Sequence, residues 1–400
     1  MIYLKAFKTT SQYEQYISGD EVILPNVSYC EDTNGVYYHP IHDYSQDYFT
    51  MVVTASGDVK WSGSTTANTL SYSKDNGETW NTADRNTIIS VTAGDNVLWK
   101  GTPTPKEEKG IGKFSGDTNV RYSVEGNAMS LLFGDDYHGQ TSLSGKTYAL
   151  YRLFSGNTNV TSAENLSLPA TTLTNYCYYS MFYGCTNLTT ASELPATTLK
   201  NYCYQYMFDG CTNLTTAPQL SATTLASSCY YGMFSGCTSL TTAPSVLPAT
   251  TLTNSCYQYM FNGCTSLTTA PELPATTLAS SCYASMFYGC TSLTEVPELP
   301  ATTLTNYCYQ YMFSNCTSLT TAPVLSATTL AEKCYYTMFS GCTSLSSIKC
   351  LATDISATNC TSNWVNGVAA SGTFTKAASM SSWTTSDDGI PSGWSVVDAA

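Results

Sequence analysis

The sequence predicts an α/β solenoid of stacked 26-residue coils, one short strand and one short helix in each, behind a small β-sandwich. Three observations lead there. Fourteen of the 17 cysteines form seven pairs with eight-residue spacing, and successive second members lie 26, 26, 27, 26, 26 and 26 residues apart. Within each unit the apolar residues recur at helical spacing. Finally, the tryptophans Trp61, Trp80, Trp99, Trp364, Trp383 and Trp394 all lie outside the array, as expected where closed cores flank coils that admit only side chains able to stack in columns.

The pairs are Cys177/Cys185, Cys203/Cys211, Cys229/Cys237, Cys256/Cys264, Cys282/Cys290, Cys308/Cys316 and Cys334/Cys342. The 27-residue step carries one extra residue in Pro244-Ser245-Val246-Leu247-Pro248, and a tolerated insertion marks a turn. Leu278, Cys282, Met286 and Phe287 fall at i, i+4, i+8 and i+9, an apolar stripe that predicts a short helix. The helix is expected to stop at the residue before the second cysteine, Gly184, Gly210, Gly236, Gly263, Gly289 or Gly341, in a left-handed conformation. Asn315 replaces glycine once, and asparagine is the next residue to reach that conformation cheaply. The Leu-Thr-Thr-Ala stretch before proline reads as a strand of three or four residues. A coil so built cannot bury its apolar edge alone and must stack on its neighbours. The cysteines then become two buried columns of reduced thiols. Zinc is not expected, because their spacing lacks the tight Cys-x-x-Cys arrangement of structural sites, while disulfides between coils stay geometrically open.

Before the array, residues 46–105 alternate apolar and polar in short runs and read as the sandwich. Residues 1–45, with a capping box at Ser11–Glu14 and an Asn34-Gly35 hairpin turn, read as an attachment segment. Residues 106–152 are expected to cap the solenoid, with Leu153–Val160 a degenerate first copy. The repeats proper occupy 153–350. Residues 351–400 form the C-terminal cap, with a short helix at Thr361–Val368 and strands after it. A solenoid without polar ends aggregates.

The repeated Met-Phe-x-Gly-Cys-Thr-Ser-Leu, with Leu-Pro-Ala-Thr-Thr-Leu between copies, resembles the BspA-type leucine-rich repeats of Bacteroidales surface proteins and of gut-phage proteins. The resemblance implies a right-handed solenoid that adheres to proteins or glycans, and it brings no catalytic residues with it.

Composition narrows the function further. Only 11% of residues are charged, the 31 tyrosines outnumber the 16 lysines and arginines, and the net charge is −13, so nucleic acid is excluded as a partner. No apolar run approaches the roughly 18 residues of a membrane span, and the opening Met1–Lys8 lacks a leader pattern. Ser73-Lys74-Asp75-Asn76-Gly77-Glu78-Thr79-Trp80 matches the Asp-box of sialidase propellers, a structural loop. With only Arg85, Arg121 and Arg152 in the chain and no room for a propeller, sialidase activity is not expected. His39 and His42 flank Pro40, which breaks any helix through them, and His138 is the only other histidine; an exposed loop is the simpler reading than a metal site. The array contains no histidine to activate a nucleophile.

What remains is surface. One threonine of each pair after the strand leucine is expected to point outward (Thr189, Thr215, Thr241, Thr268 and Thr320) and its neighbour inward. The variable positions Glu193, Gln219, Glu272, Glu298 and Val324 line the same face. Tyr178, Tyr204, Tyr230, Tyr257, Tyr283, Tyr309 and Tyr335, each after a first cysteine, form a further column. Hydroxyls and aromatics on a neutral platform suit contact with glycans or protein loops. Threonine rows also suit ice binding, but the 27-residue step and the glutamates spoil a lattice match. The expectation is thus a non-enzymatic recognition protein with no cofactor, facing a host-surface glycan or protein. It is displayed on a phage virion through residues 1–45 or, alternatively, on a bacterial surface; a glycan hydrolase is the remote third reading. A homo-oligomer remains open.

Overall fold

The computed structural model describes residues 42–399, and residues 29–32 and 35–38 by backbone alone. The helix expected at Ser11 and the histidine at 39 lie outside the described residues, as does most of the 1–45 segment. Strands β1 (Tyr29–Asp32) and β2 (Gly35–Tyr38) pair antiparallel; Asn34 of the expected hairpin turn lies outside the described residues.

Eight strands follow in the N-terminal half: β3 (Phe49–Ala55), β4 (Gly57–Gly63), β5 (Leu70–Ser73), β6 (Asn81–Ala83), β7 (Thr87–Val91), β8 (Asn96–Lys100), β9 (Gly112–Gly116) and β10 (Arg121–Asn127). Two short ones, β11 (Val160–Ser162) and β12 (Leu166–Ser167), pair parallel with β10. One sheet runs β11-β10-β3-β8-β5-β6 with β12 beside β10, and the other runs β7-β4-β9. Strands β9 and β10, within the stretch expected to cap the solenoid, therefore belong to these sheets. Alternation puts Trp61 of β4, Phe114 of β9, Trp99 of β8 and Phe49 of β3 inward and fully buried. Phe114 lies 4.7 Å from Trp61 and 4.9 Å from Trp99 between ring centres.

The same core runs on into the repeats. Phe114 stacks on Phe154 at 5.5 Å, and Phe154 starts a file continued by Phe182, Phe208, Phe234, Phe261, Phe287, Phe313 and Phe339 at 5.3–5.8 Å. Equivalent residues thus lie coil over coil.

The predicted helix is absent. In its place each coil runs as a ribbon of consecutive turns in which every fourth residue has positive φ: Tyr202, Tyr206 and Gly210 in one coil, Ser228, Gly232 and Gly236 in the next. Across nine coils, from Tyr148 to Gly367, these φ values lie between 49° and 76°. Alternate amides donate to the following coil, Tyr204 to Cys229 O at 3.0 Å and Tyr206 to Tyr231 O at 2.9 Å, while those between close local turns, Met207 to Tyr204 O at 3.2 Å. A left-handed non-glycine residue costs about 1–2 kcal/mol, offset here by cross-coil hydrogen bonds on both sides of it. Asn315 has φ 61°, so the left-handed position read from glycine is real although no helix ends there.

The expected strands shrink as well. Coils touch through single parallel bridges, among them Leu194 with Leu220, Thr216 with Thr242 and Thr269 with Glu295. Only at the far end does a true ladder form, β13 (Ser347–Cys350), β14 (Thr373–Lys376) and β15 (Ser395–Asp398), all parallel. The stack thus outlasts the sequence period. Thr361–Val368 is another ribbon coil rather than a helix: Tyr335 donates to Cys360 O at 2.9 Å and Phe339 to Trp364 O at 2.8 Å. All ribbon amides that cross between coils point the same way, which leaves outward N–H groups at this end. Asp388 accepts from Asn363 N at 2.6 Å, and Asp387 O accepts from Val365 N at 3.2 Å. A carboxylate thereby caps the positive end of an aligned peptide stack, as at a helix N-terminus.

Candidate functional surface

The array's thiols come first, because they are its strongest nucleophiles. All fourteen are free and fully buried. The second member of each pair donates its S–H to a phenylalanine carbonyl of the preceding coil, Cys211 to Phe182 O and Cys264 to Phe234 O, each at 3.1 Å. That bond gives cysteine a use that alanine or valine could not serve. Burial pushes thiols of both columns, Cys177 and Cys185 among them, up to about 12. They are protonated, enclosed and inert.

The tyrosines after the first cysteines correct the surface reading. All seven are at most 1% exposed and stack in a file at 5.6–6.2 Å. These residues lie on the ribbon, where both the cysteine and the tyrosine after it turn inward. Nothing of that column reaches a ligand. Different tyrosines line the outside, Tyr148, Tyr176 and Tyr202 stacked at 4.8 and 4.6 Å.

Thr189, Thr215, Thr241, Thr268 and Thr320 are exposed, as are Glu193, Gln219, Glu272, Glu298 and Val324. Their partners do not point inward: Thr216, Thr242, Thr269 and Thr321 are exposed too, and only Thr190 is half-buried. Single bridges impose no pleat, so neighbouring side chains need not alternate. Some of these hydroxyls are already engaged. Thr189 donates to Thr161 O at 2.9 Å and Thr241 to Thr215 O at 3.2 Å, which leaves mainly methyl groups facing out.

A second threonine file went unread although its residues sit in the repeated Leu-Pro-Ala-Thr-Thr-Leu. Thr171/Thr172, Thr197/Thr198, Thr223/Thr224, Thr250/Thr251, Thr276/Thr277, Thr302/Thr303 and Thr328/Thr329 are all exposed. No glutamate interrupts this file, unlike the first, where Glu295 replaces a threonine. None of these fourteen hydroxyls donates to a protein group among the described residues. The signal that could have found it was regularity: the pair between Ala and Leu never varies in the seven copies. This second file makes an uncharged strip of hydroxyl and methyl groups that can offer hydrogen bonds without first breaking internal ones.

The Asp-box loop joins β5 to β6. Asp75 accepts from Thr79 N at 2.9 Å, from the Thr79 hydroxyl at 2.5 Å and from the Ser73 hydroxyl at 2.6 Å. Those bonds, that of Ser73 first, hold its carboxyl down at about 2. Gly77 has φ 91°, and the whole carboxylate is spent on the turn. His42 pairs with Asp47, and no group of three or more potential metal ligands occurs among the described residues.

A family model described as BspA type leucine-rich repeat region matches residues 152–268 and 231–363, in six copies. No curated protein and no solved structure matches the chain.

Proposed function

The chain belongs to the BspA-type leucine-rich-repeat family, and on that premise we propose that it is a non-enzymatic recognition protein whose repeat array contacts a protein or glycan on a cell surface. The observation that carries this reading is the uninterrupted file of exposed, internally unbonded threonines from Thr171 to Thr329. Everything else conspicuous in the repeat is used internally: phenylalanine, methionine, tyrosine and cysteine fill columns, and glycine serves the turn. The finer reading is a right-handed solenoid behind a small N-terminal β-sandwich, displayed on a phage particle through residues 1–45, with a bacterial surface as the alternative site of display.

The test uses the purified chain, fluorescently labelled, on arrays of surface glycans and surface proteins and on whole bacterial cells. Arginine at Thr224, Thr276 and Thr302 puts bulk and charge on three coils without touching the core. Loss of binding with an unchanged circular dichroism spectrum is the expected result. Binding that survives these changes and matching ones at Thr215 and Thr268 removes the threonine files as the recognition surface.

A further inference from the structure

A cleft of about 590 Å³ opens on the outer face of the seven-stranded sheet, lined by residues 42–138 and by none of the repeat threonines. That volume lies within the range of small-molecule sites. Its floor is Thr50 and Val52 of β3, Asn96 and Leu98 of β8 and Glu125 of β10. One wall is the segment His42–Tyr48, which crosses the sheet as a strap. Buried Asn127 fastens it, donating from its side chain to Ser45 O and from its backbone to Asp47 O, both at 2.9 Å. Gly126 permits the crossing: at φ 75°, any Cβ there would lie 2.1 Å from Tyr48 O. Tyr137 braces the strap, its hydroxyl donating to Gln46 O at 2.6 Å and its ring lying 5.1 Å from that of Tyr48. The wall is therefore set before any ligand arrives.

The chemistry of the lining selects its occupant. Tyr44, Tyr48 and Tyr137 supply ring faces and edges, and Val52 and Leu98 supply an apolar floor. Asn76 and Asn96 supply amides that donate and accept, and Asp47 and Glu125 supply carboxylates that only accept. Among the described residues no lysine or arginine lines the cleft, and of its two histidines His42 is already paired with Asp47; the carboxylates disfavour an anionic ligand. Many hydroxyl donors, a C–H face to lie on aromatic and apolar groups, and no negative charge together describe a sugar. We propose that this cleft binds a neutral oligosaccharide, independently of the repeat array. Glu125 and Asp47 accept from its hydroxyls, and Tyr44 packs against a ring face.

Calorimetric titration of the full chain with cellotriose, maltotriose, mannotriose and chitotriose, in chelator, tests this. Saturable binding of at least one is expected, weakened about tenfold by Glu125→Gln and by Tyr44→Ala and abolished by Asn96→Trp, which fills the floor. Asn76 and Asn96 are exposed, and Asn76 has φ 56°, so Asn76→Gly, which keeps that left-handed turn, and Asn96→Ala, both of which leave the strap intact, provide a second pair less open to a folding defect. Thr276→Arg and Thr302→Arg leave this binding unchanged. The proposal is overturned if none of the four sugars binds saturably, if the cleft substitutions are without effect, if the threonine substitutions remove the binding instead, or if sulfated or sialylated trisaccharides compete better than neutral ones.

Discussion

Replacing Tyr257, Tyr283 and Tyr309 by phenylalanine is predicted to stabilise the protein. These rings are at most 1% exposed and stacked at 5.7 and 5.9 Å, and their hydroxyls have no hydrogen-bond partner among the described residues. An unsatisfied buried hydroxyl costs about 1–3 kcal/mol. Removing one oxygen leaves a void too small to cancel that gain, and the neighbouring phenylalanine file already tolerates the plain ring. Each substitution should therefore add about 1 kcal/mol, raising the melting temperature of an array of this size by about 2–4 °C. The three sites are adjacent, so the triple variant need not equal the sum. Urea titration followed by near-ultraviolet circular dichroism reads the change as a higher midpoint. A lower midpoint in all three single variants would refute the reasoning, because it would mean that each hydroxyl makes a bond worth keeping.

Other predictions follow from the same geometry. The fourteen array thiols should resist iodoacetamide at pH 8 in the folded protein and react together in denaturant; mass spectrometry that finds stoichiometric labelling of the native chain contradicts their burial. Because burial raises Cys177 and Cys185 from 9.0 to about 12, stability should hold below pH 9 and fall as pH climbs through 12, read by alkaline titration of ellipticity. Asp75 is displaced in the opposite sense, from 3.8 to about 2, so its contribution is present above pH 4 and lost as pH falls through 2; Asp75→Asn should flatten that acid limb. Gly341→Ala should cost more than Gly184→Asn in denaturant midpoint. A Cβ at Gly341 would meet Asn315 Oδ1 at 2.2 Å, while one at Gly184 finds its nearest neighbour at 3.7 Å, and asparagine already occupies this left-handed position at 315.

How far the sequence could be read depended on which periods it can express. The 26-residue repeat is written in cysteine, phenylalanine and glycine, so stacking, buried thiols and the left-handed glycine file were legible. The helix was misread because Leu278, Cys282, Met286 and Phe287 are indeed all buried, but a four-residue spacing over ten residues cannot separate a 3.6-residue helix from turns closing every fourth residue. The discriminating feature, positive φ at Ser281 and Ser285, falls on residues that carry no signal for it. The tyrosine column was counted with the surface, although its residues follow the buried cysteines on the ribbon and turn inward with them. The threonine file at Ala-Thr-Thr-Leu was passed over as connection, since single bridges such as that of Thr198 with Thr224 need no β-rich run. The last coil was missed because stacking continues there through main-chain bonds after its cysteine spacing has lapsed. The cleft, assembled from residues 42–138 across several strands, leaves no local pattern at all.

The turn ribbon is the geometry on which buried tyrosines, enclosed thiols and outward threonines all depend, and a crystal structure at side-chain resolution tests it most directly. Positive φ at Ser228, Gly232 and Gly236, with the Tyr230 amide bonded to Cys256 O, is the predicted result. A continuous helix there, each amide bonded four residues back within its own coil, would contradict it.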